Sequence, residues 1–342
     1  MYDIAIIGLG PGGATLARLL DRKLRVIGID RKSLERGKCC GGLLSPSAQR
    51  MLARNTICLP NEVLADPQIF SVKTIDLDNC IERSYQRFYI NMNRAKFDNF
   101  LISLIPDTVE LRRSSLCKSV TWEQGAYRLV VKTKEAEETV EARTLIGADG
   151  ANSIVRNTFY PKKRIHRYMA IQEWYEDQVN PPGYCCIFDR EVTDSYCWTI
   201  AKDRCLVIGG AFPVKDSGRR FAMLKERVQN RGLYVGKLLK REGCFVYLNK
   251  GFGMCTGGNG AYLIGEAAGM ISPSSLEGIS YALESAEKLA EVINRSLDNI
   301  GPRYFMKTAG MRIKLLGKML KMPFMYNRFL RKLVMKSGIE AI

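Results

Sequence analysis

The 342-residue sequence holds one histidine, His166, and no C-x-x-C pair among its eleven cysteines. Zinc sites and dithiol redox centres draw on those ligands at set spacings, so no metal is expected. The cysteines are odd in number, scattered, and twice adjacent (Cys39-Cys40 and Cys185-Cys186), which fits reduced thiols better than a disulfide framework. P-loop, G-x-S-x-G and H-E-x-x-H patterns are missing, and His166 sits in the basic stretch PKKRIHRY without a neighbouring carboxylate or nucleophile. No apolar run approaches the roughly 18 residues of a membrane span. The first strand pattern starts at Tyr2 or Asp3 with no basic, apolar leader ahead of it, so a cytoplasmic location is expected. Acids are scarce too: 35 Asp and Glu face 52 Lys and Arg, a net charge of +17.

What is present is an ordinary globular composition, 46% hydrophobic, which rules out wholesale disorder. The opening MYDIAIIGLGPGGATLARLLDRKLRVIGID reads as apolar strand, glycine turn, helix and second buried strand, the βαβ unit of a doubly wound nucleotide fold. Gly8-Leu9-Gly10-Pro11-Gly12-Gly13 fits G-x-G-x-x-G. Gly8 permits the turn, Gly10 lets a pyrophosphate approach the backbone, and Gly13 lets helix and strand pack closely. Asp30 ends the second strand, placed to accept hydrogen bonds from a ribose. A tight turn without a ligand is the plainer alternative. Further on, residues 68–90 read as sheet, NRAKFDNFLISLIP as a helix, and short strands run to TLIGADGANSIVR (144–156). Strands dominate residues 165–260, interrupted by an amphipathic helix expected near 217–241. A strand, a loop and a long helix follow from residue 261.

Four stretches resemble, in order, the motifs of FAD-dependent proteins with the p-hydroxybenzoate-hydroxylase fold. They are Gly8 to Asp30, Arg94 in NRAKFDNFL, Asp149-Gly150 with Arg156, and Gly265-Glu266-Ala-Ala-Gly269 with Pro273. The resemblance implies a mixed α/β architecture: a Rossmann-like FAD-binding domain, an inserted β-sheet substrate domain and a helical C-terminus. It implies FAD on the single dinucleotide fingerprint, with NAD(P)H as a visiting electron donor. Asp30 and Arg31 would serve the adenosine ribose end and Arg94 the pyrophosphate region, with Asp149 and Gly150 near the cofactor. Gly265, Glu266, Gly269 and Gly278 would complete the ribityl and flavin contacts. Glu266 stands where the family has Asp, one methylene longer.

A narrower resemblance lies in KCCGGLLSP (38–46), which is similar to the Cys-Gly-Gly segment of the geranylgeranyl reductase family. There the cysteine lies in the substrate cavity, and Cys40 is the matching residue. SYCWTIAKDRCLVIGGAF (195–212) partly resembles that family's Y-x-W-x-F-P lipid-tunnel motif: Tyr196 and Trp198 agree, while Ile200 and Ala201 replace Phe-Pro. Alternate strand residues share a face, so Tyr196, Trp198 and Ile200 either line a hydrophobic slot with Cys40 or form ordinary sheet core. Cys40 and Tyr196 are the candidate catalytic residues that the resemblance implies.

The implied function is FAD-dependent reduction of carbon–carbon double bonds in a hydrophobic, isoprenoid-type substrate. A monooxygenase or halogenase of the same fold is one alternative, because Tyr196-x-Trp198-x-Ile200 also resembles W-x-W-x-I of flavin halogenases. A non-catalytic FAD-containing lipid-binding protein is another. Residues 1–67, 91–160 and 258–300 are assigned to the FAD domain, 68–90 and 161–257 to the substrate domain, and 301–342 to C-terminal helices. Residues 302–342 hold ten Lys or Arg against one acid. Within 303–336 basic and apolar residues alternate at helical spacing, with Arg328, Arg331, Lys332 and Lys336 on the second basic face and Pro323 expected to break the run. Such helices either adsorb to an anionic membrane surface, here the inner face, or pack their apolar side on the protein. No nucleic-acid recognition pattern accompanies the charge.

Overall fold

The computed structural model describes residues 1–33, 38–162, 166–248 and 253–339. In chain order the elements are β1 (Tyr2–Ile7), α1 (Pro11–Leu19), β2 (Val26–Ile29), β3 (Leu43–Leu44), α2 (Pro46–Arg54), β4 (Ile69–Asp76), β5 (Ile81–Asn91) and α3 (Arg94–Ser103). There follow β6 (Val109–Arg112), β7 (Leu116–Glu123), β8 (Ala126–Lys132), β9 (Glu137–Gly147), α4 (Ile154–Phe159), β10 (His166–Glu176), β11 (Tyr184–Phe188), β12 (Cys197–Lys202) and β13 (Cys205–Pro213). The chain ends with α5 (Ser217–Gln229), β14 (Leu238–Leu248), β15 (Gly257–Gly258), β16 (Ala261–Leu263), α6 (Ile279–Arg295), α7 (Ile300–Lys307), α8 (Ala309–Tyr326) and α9 (Arg328–Lys336). Among the described residues no helix is long and apolar enough to cross a membrane.

Two compact units emerge. The first comprises Met1–Arg36, Ala95–His166 and Tyr247–Gly317, and the second Gly37–Arg94, Arg167–Val246 and Lys318–Ile342. They divide the chain elsewhere than the sequence-based domains do. Residues 37–67 go with the second unit because β3 pairs with β5, Leu43 opposite Asn91, and the Ala65 N–H donates to Asn91 O at 3.0 Å.

The first unit is built on a sheet with strand order β15-β16-β9-β1-β2-β6, to which β7 and β8 add an antiparallel extension of β9. Strands β6, β2, β1, β9 and β16 run parallel. Parallel strands are covered on both faces and read as continuous apolar runs. Accordingly Ile4, Ala5 and Ile6 of β1 and all of Val26–Ile29 are buried. Sequence order climbs from β1 through β2 to β6 on one side, then resumes at β9 on the other side of β1. The reversal places a topological switch point at the C-terminal ends of β1 and β9, where open α/β sheets bind their ligands.

The second unit carries a sheet of order β14-β10-β13-β12-β11-β4-β5-β3, antiparallel in its paired registers except at β11–β4. The pleat sends alternate residues to opposite faces. One face packs Ile171, Cys197, Ile208 and Phe212 under Phe221, Leu224 and Val228 of α5. The opposite face gathers Tyr196, Trp198, Ile200, Val207, Trp174, Tyr184 and Leu43.

Two local expectations are corrected. The helix expected to reach 241 ends at Gln229, because Gly232 adopts φ +83 and residues 238–248 extend as the edge strand β14. Pro323 does not break the helical run: it lies in the last turn of α8, and its carbonyl still accepts the Asn327 N–H at 3.0 Å.

Candidate functional site

The glycine turn fits tightly at the switch point. Gly8 has φ +92, and a Cβ there would lie 2.7–2.8 Å from the backbone of Ala148 and Asp149. A Cβ on Gly13 would lie 1.9 Å from the Gly8 carbonyl oxygen. Both positions therefore exclude side chains for steric reasons, and the ends of β1 and β9 are brought into contact by them. The helix behind the turn starts with Pro11, has Gly10 at its N-cap, and is capped by no side chain and no first-turn acid. An uncapped helix N-terminus exposes N–H donors and the positive end of the dipole, a setting for phosphate.

Asp30 is buried, and its carboxylate is held on both oxygens, by the Leu9 N–H at 2.6 Å and the Lys32 N–H at 2.8 Å. An ionised carboxylate offers about four lone-pair sites, so acceptor capacity for a ribose diol remains after those two bonds. Asp149 lies across the switch point from Gly8. One of its oxygens accepts the Ile154 N–H at 2.7 Å, and the other, Oδ1, is buried with no hydrogen-bond partner. Burial pushes its carboxyl up to about 6, against the pull of hydrogen bonding from Ser153 and the Ile154 N–H and, more weakly, of Arg31. A buried acceptor without a donor is costly unless something supplies one. Together the open helix end, the glycine contacts and the orphaned Asp149 oxygen fit a bound dinucleotide.

The third motif forms the opposite wall of the first unit. Gly265–Ala268 make a single 3-10 turn closed by Gly269, and Gly278 is the N-cap of α6, where the Glu277 carboxylate accepts the Ser280 N–H at 2.9 Å. Gly265 N–H donates to Ser285 Oγ at 2.9 Å, while Glu266 Oε1 accepts the Tyr247 N–H at 2.9 Å. The extra methylene of Glu266 thus reaches a backbone donor within the protein. Arg156, which belongs to the second motif, is fully buried and braces this wall, donating to Ala267 O at 2.7 Å and to Gly253 O, with Tyr247 under its guanidinium. It acts as a strut. Gly150 follows Asp149 in the 3-10 turn Gly150–Asn152. Arg94 opens α3 and is half-buried.

In the second unit the cysteine segment lies against β12. A Cβ on Gly41 would meet Ile200 Cδ1 at 2.7 Å, and one on Gly42, at φ +66, would meet Met92 O at 2.4 Å and Lys202 Nζ at 2.6 Å. The Gly42 N–H donates back to Cys40 Sγ at 3.4 Å. The two glycines are what allow Cys40 to sit on this face. Tyr196 and Trp198 have their rings 5.8 Å apart, and Tyr196 also approaches Phe188, 6.4 Å between centroids. Tyr196, Trp198 and Ile200 therefore pack with Tyr184 as one apolar cluster, with Cys186 opposite Trp198 and the Cys40 segment against the same face. Burial raises the Tyr196 phenol well above its ordinary value and pushes the Cys186 thiol up to about 12, so both are protonated at neutral pH.

Lys202 was not singled out from sequence. It follows Trp198 and Ile200 in the same alternation, yet it is 1% exposed. Its Nζ donates to Asn91 Oδ1 at 2.5 Å, Met92 O at 2.7 Å and Gly42 O at 3.3 Å, and burial lowers it to about 8. A lysine in the inward phase of an apolar strand is the signal that could have flagged it. Beside it, Gln172 donates to Cys40 O at 3.3 Å and to Glu242 Oε2 at 2.7 Å, and Trp174 Nε1 donates to the same Glu242 oxygen at 3.0 Å. His166 begins β10 and is exposed.

Residues 1–181 match the FAD binding domain family. Protein CbrA of Escherichia coli O157:H7 is 45% identical over the whole chain and 98% of its own length. Among solved structures, a geranylgeranyl bacteriochlorophyll reductase-like protein of Thermoplasma acidophilum superposes with a TM-score of 0.85 at 19% identity, covering 99% of this chain and 92% of that one. A triple mutant of the flavin-dependent brominase Bmp2 gives 0.74 at 17% identity, covering 98% and 92%. These last two likenesses establish the fold alone, a mixed α/β arrangement.

Proposed function

The chain belongs to the FAD-binding family that includes CbrA, and on that premise we propose that it is an FAD-dependent reductase of carbon–carbon double bonds in an apolar, isoprenoid-type substrate. The observation that carries this reading is the slot face of the second unit, where Tyr184, Tyr196, Trp198, Ile200 and Leu43 cluster beside the Cys40-Gly41-Gly42 segment. Aromatic and aliphatic walls with few polar groups suit a hydrocarbon chain and exclude water. When bound and reduced, FAD would supply hydride chemistry for one alkene carbon. The other carbon needs a proton. Burial makes the Tyr196 phenol a weak acid, which leaves the Cys40 thiol, within the electrostatic reach of Lys202, as the proposed donor. Tyr196 and Trp198 would orient the chain, Gln172 holds the Cys40 carbonyl and Lys202 that of Gly42, and Asp30, Asp149 and the N-terminus of α1 would hold the cofactor.

The test is anaerobic incubation of the FAD-loaded protein with a nicotinamide donor and a polyprenyl lipid mixture, read by mass spectrometry. Products heavier by two hydrogens, lost in Cys40→Ser with bound FAD retained, are expected. Products carrying oxygen or halogen, formed only in air, would replace the reading with the oxygen-using chemistry of the same fold.

A further inference from the structure

From Lys318 to Ile339 the chain holds six Lys or Arg and no acid. One of the six is not at the surface. Arg331 is 2% exposed, with Nε and Nη2 each 2.8 Å from the Asp76 carboxylate, a further bond to Asp78 at 2.7 Å, and its guanidinium over the Phe188 ring. Met335 is buried one turn later, and Arg328 O accepts Asn79 Nδ2 at 2.9 Å. This corrects the expectation that put Arg331 on the outward basic face: two carboxylates at the end of β4 draw it inward. The bidentate pair leaves the helix one rotation about its axis.

That rotation decides what α9 presents outward. Arg328, Lys332 and Lys336 form an exposed stripe at four-residue spacing. Beside it runs an apolar stripe, Phe329 at 64% and Leu333 at 65% exposure, and Leu320 at 76% precedes it in α8. The arrangement inverts the usual economy of a surface helix, hiding a guanidinium while large apolar groups face water. A cover is needed that is apolar in its interior and negative at its edge. A second copy of the same face would set cation against cation across a two-fold contact. A leaflet containing anionic lipids satisfies both demands, with Phe329 and Leu333 among the acyl chains and the three cations at the headgroups.

We infer that the outer face of α9, extended by Leu320 and Phe324, docks on an anionic bilayer surface, with Arg331, Asp76 and Asp78 as the internal anchor that sets its orientation. The inference is independent of what the flavin reduces. Each cation adds roughly fivefold to the partition onto an anionic leaflet. The experiment is cosedimentation of the full FAD-loaded protein with phosphatidylcholine vesicles, with and without phosphatidylglycerol, at moderate and high salt. Binding is expected only with phosphatidylglycerol and is expected to weaken at high salt. The combined change Arg328→Glu, Lys332→Glu, Lys336→Glu should lower it by roughly a hundredfold or more. Phe329→Ser with Leu333→Ser should lower it at every salt concentration, with flavin absorbance unchanged in both variants. Equal binding to neutral vesicles, or outer-face variants that bind like the parent, would overturn the inference. So would a shift from dimer to monomer in the serine variant, measured by sedimentation velocity, without any vesicle binding by the parent.

Discussion

The two units are built by different means. In the first, the candidate cofactor wall is mostly backbone: glycines that admit no Cβ, the uncapped start of α1, and carboxylates pinned by N–H groups. In the second, the proposed slot would be made of side chains that meet across strands, such as Trp198 opposite Gly209, with a Gly209 Cβ placed 2.5 Å from the indole nitrogen. A backbone site constrains residue type at fixed spacing. A side-chain slot constrains only summed shape, so many sequences can line it. The first unit should thus respond to substitution with loss of FAD and the second with altered substrate handling.

The largest effect expected is from Gly13→Val, which places side-chain atoms where the Gly8 carbonyl already is. Helix α1 must separate from β1, costing more than about 3 kcal/mol, and bound flavin should be lost on gel filtration. Retained flavin at unchanged thermal stability would break the contrast at its strongest point.

Next in size is Arg331→Met, which leaves Asp76 and Asp78 facing an apolar side chain. Removing one partner of a buried pair costs about 3–5 kcal/mol, and pairing the change with Asp76→Asn should recover part of it in denaturant titrations. Flavin content is expected to hold in the variant that remains folded.

Asp149 gives a pH dependence of about 3 kcal/mol in the FAD-free protein. Its folded value of about 6 lies above the unfolded one near 3.9, so between these values the folded state binds the extra proton. Its contribution to stability therefore falls as pH rises from about 4 to 6 and stays lost above. Asp149→Asn should remove that slope, which urea unfolding at a series of pH values would reveal. FAD donating to the orphaned oxygen would lower the carboxyl and flatten the slope in the parent as well.

Smallest is Ile200→Val, one methylene taken from the slot. Apparent KM for an apolar substrate should rise by up to about tenfold with flavin content unchanged. A change in FAD affinity instead would blur the division between the units.

How far the sequence was legible follows the same line. The turn at Gly8 to Gly13 and the carboxylate of Asp30 could be read directly, because a turn with φ +92 and a 1.9 Å contact tolerates glycine alone. The alternation of Tyr196, Trp198 and Ile200 was visible, but the face that they share with Trp174 and Tyr184 depends on the register of β10, β11 and β12. Arg331 and Asp76 lie 255 residues apart, and no local pattern pairs them. A basic, apolar helix therefore reads the same whether its arginine faces lipid, water or a buried aspartate. Lys202 was hidden for the opposite reason, since a lysine ending a strand ordinarily marks its exit into solvent.

The most direct test of the central claim follows the flavin spectrum of the anaerobically reduced, FAD-loaded protein after addition of polyprenyl lipid. The account predicts return of the oxidised flavin absorbance without oxygen, in proportion to lipid added and slowed in Cys40→Ser. A flavin that stays reduced with every lipid offered, and reoxidises only when air enters, would contradict it.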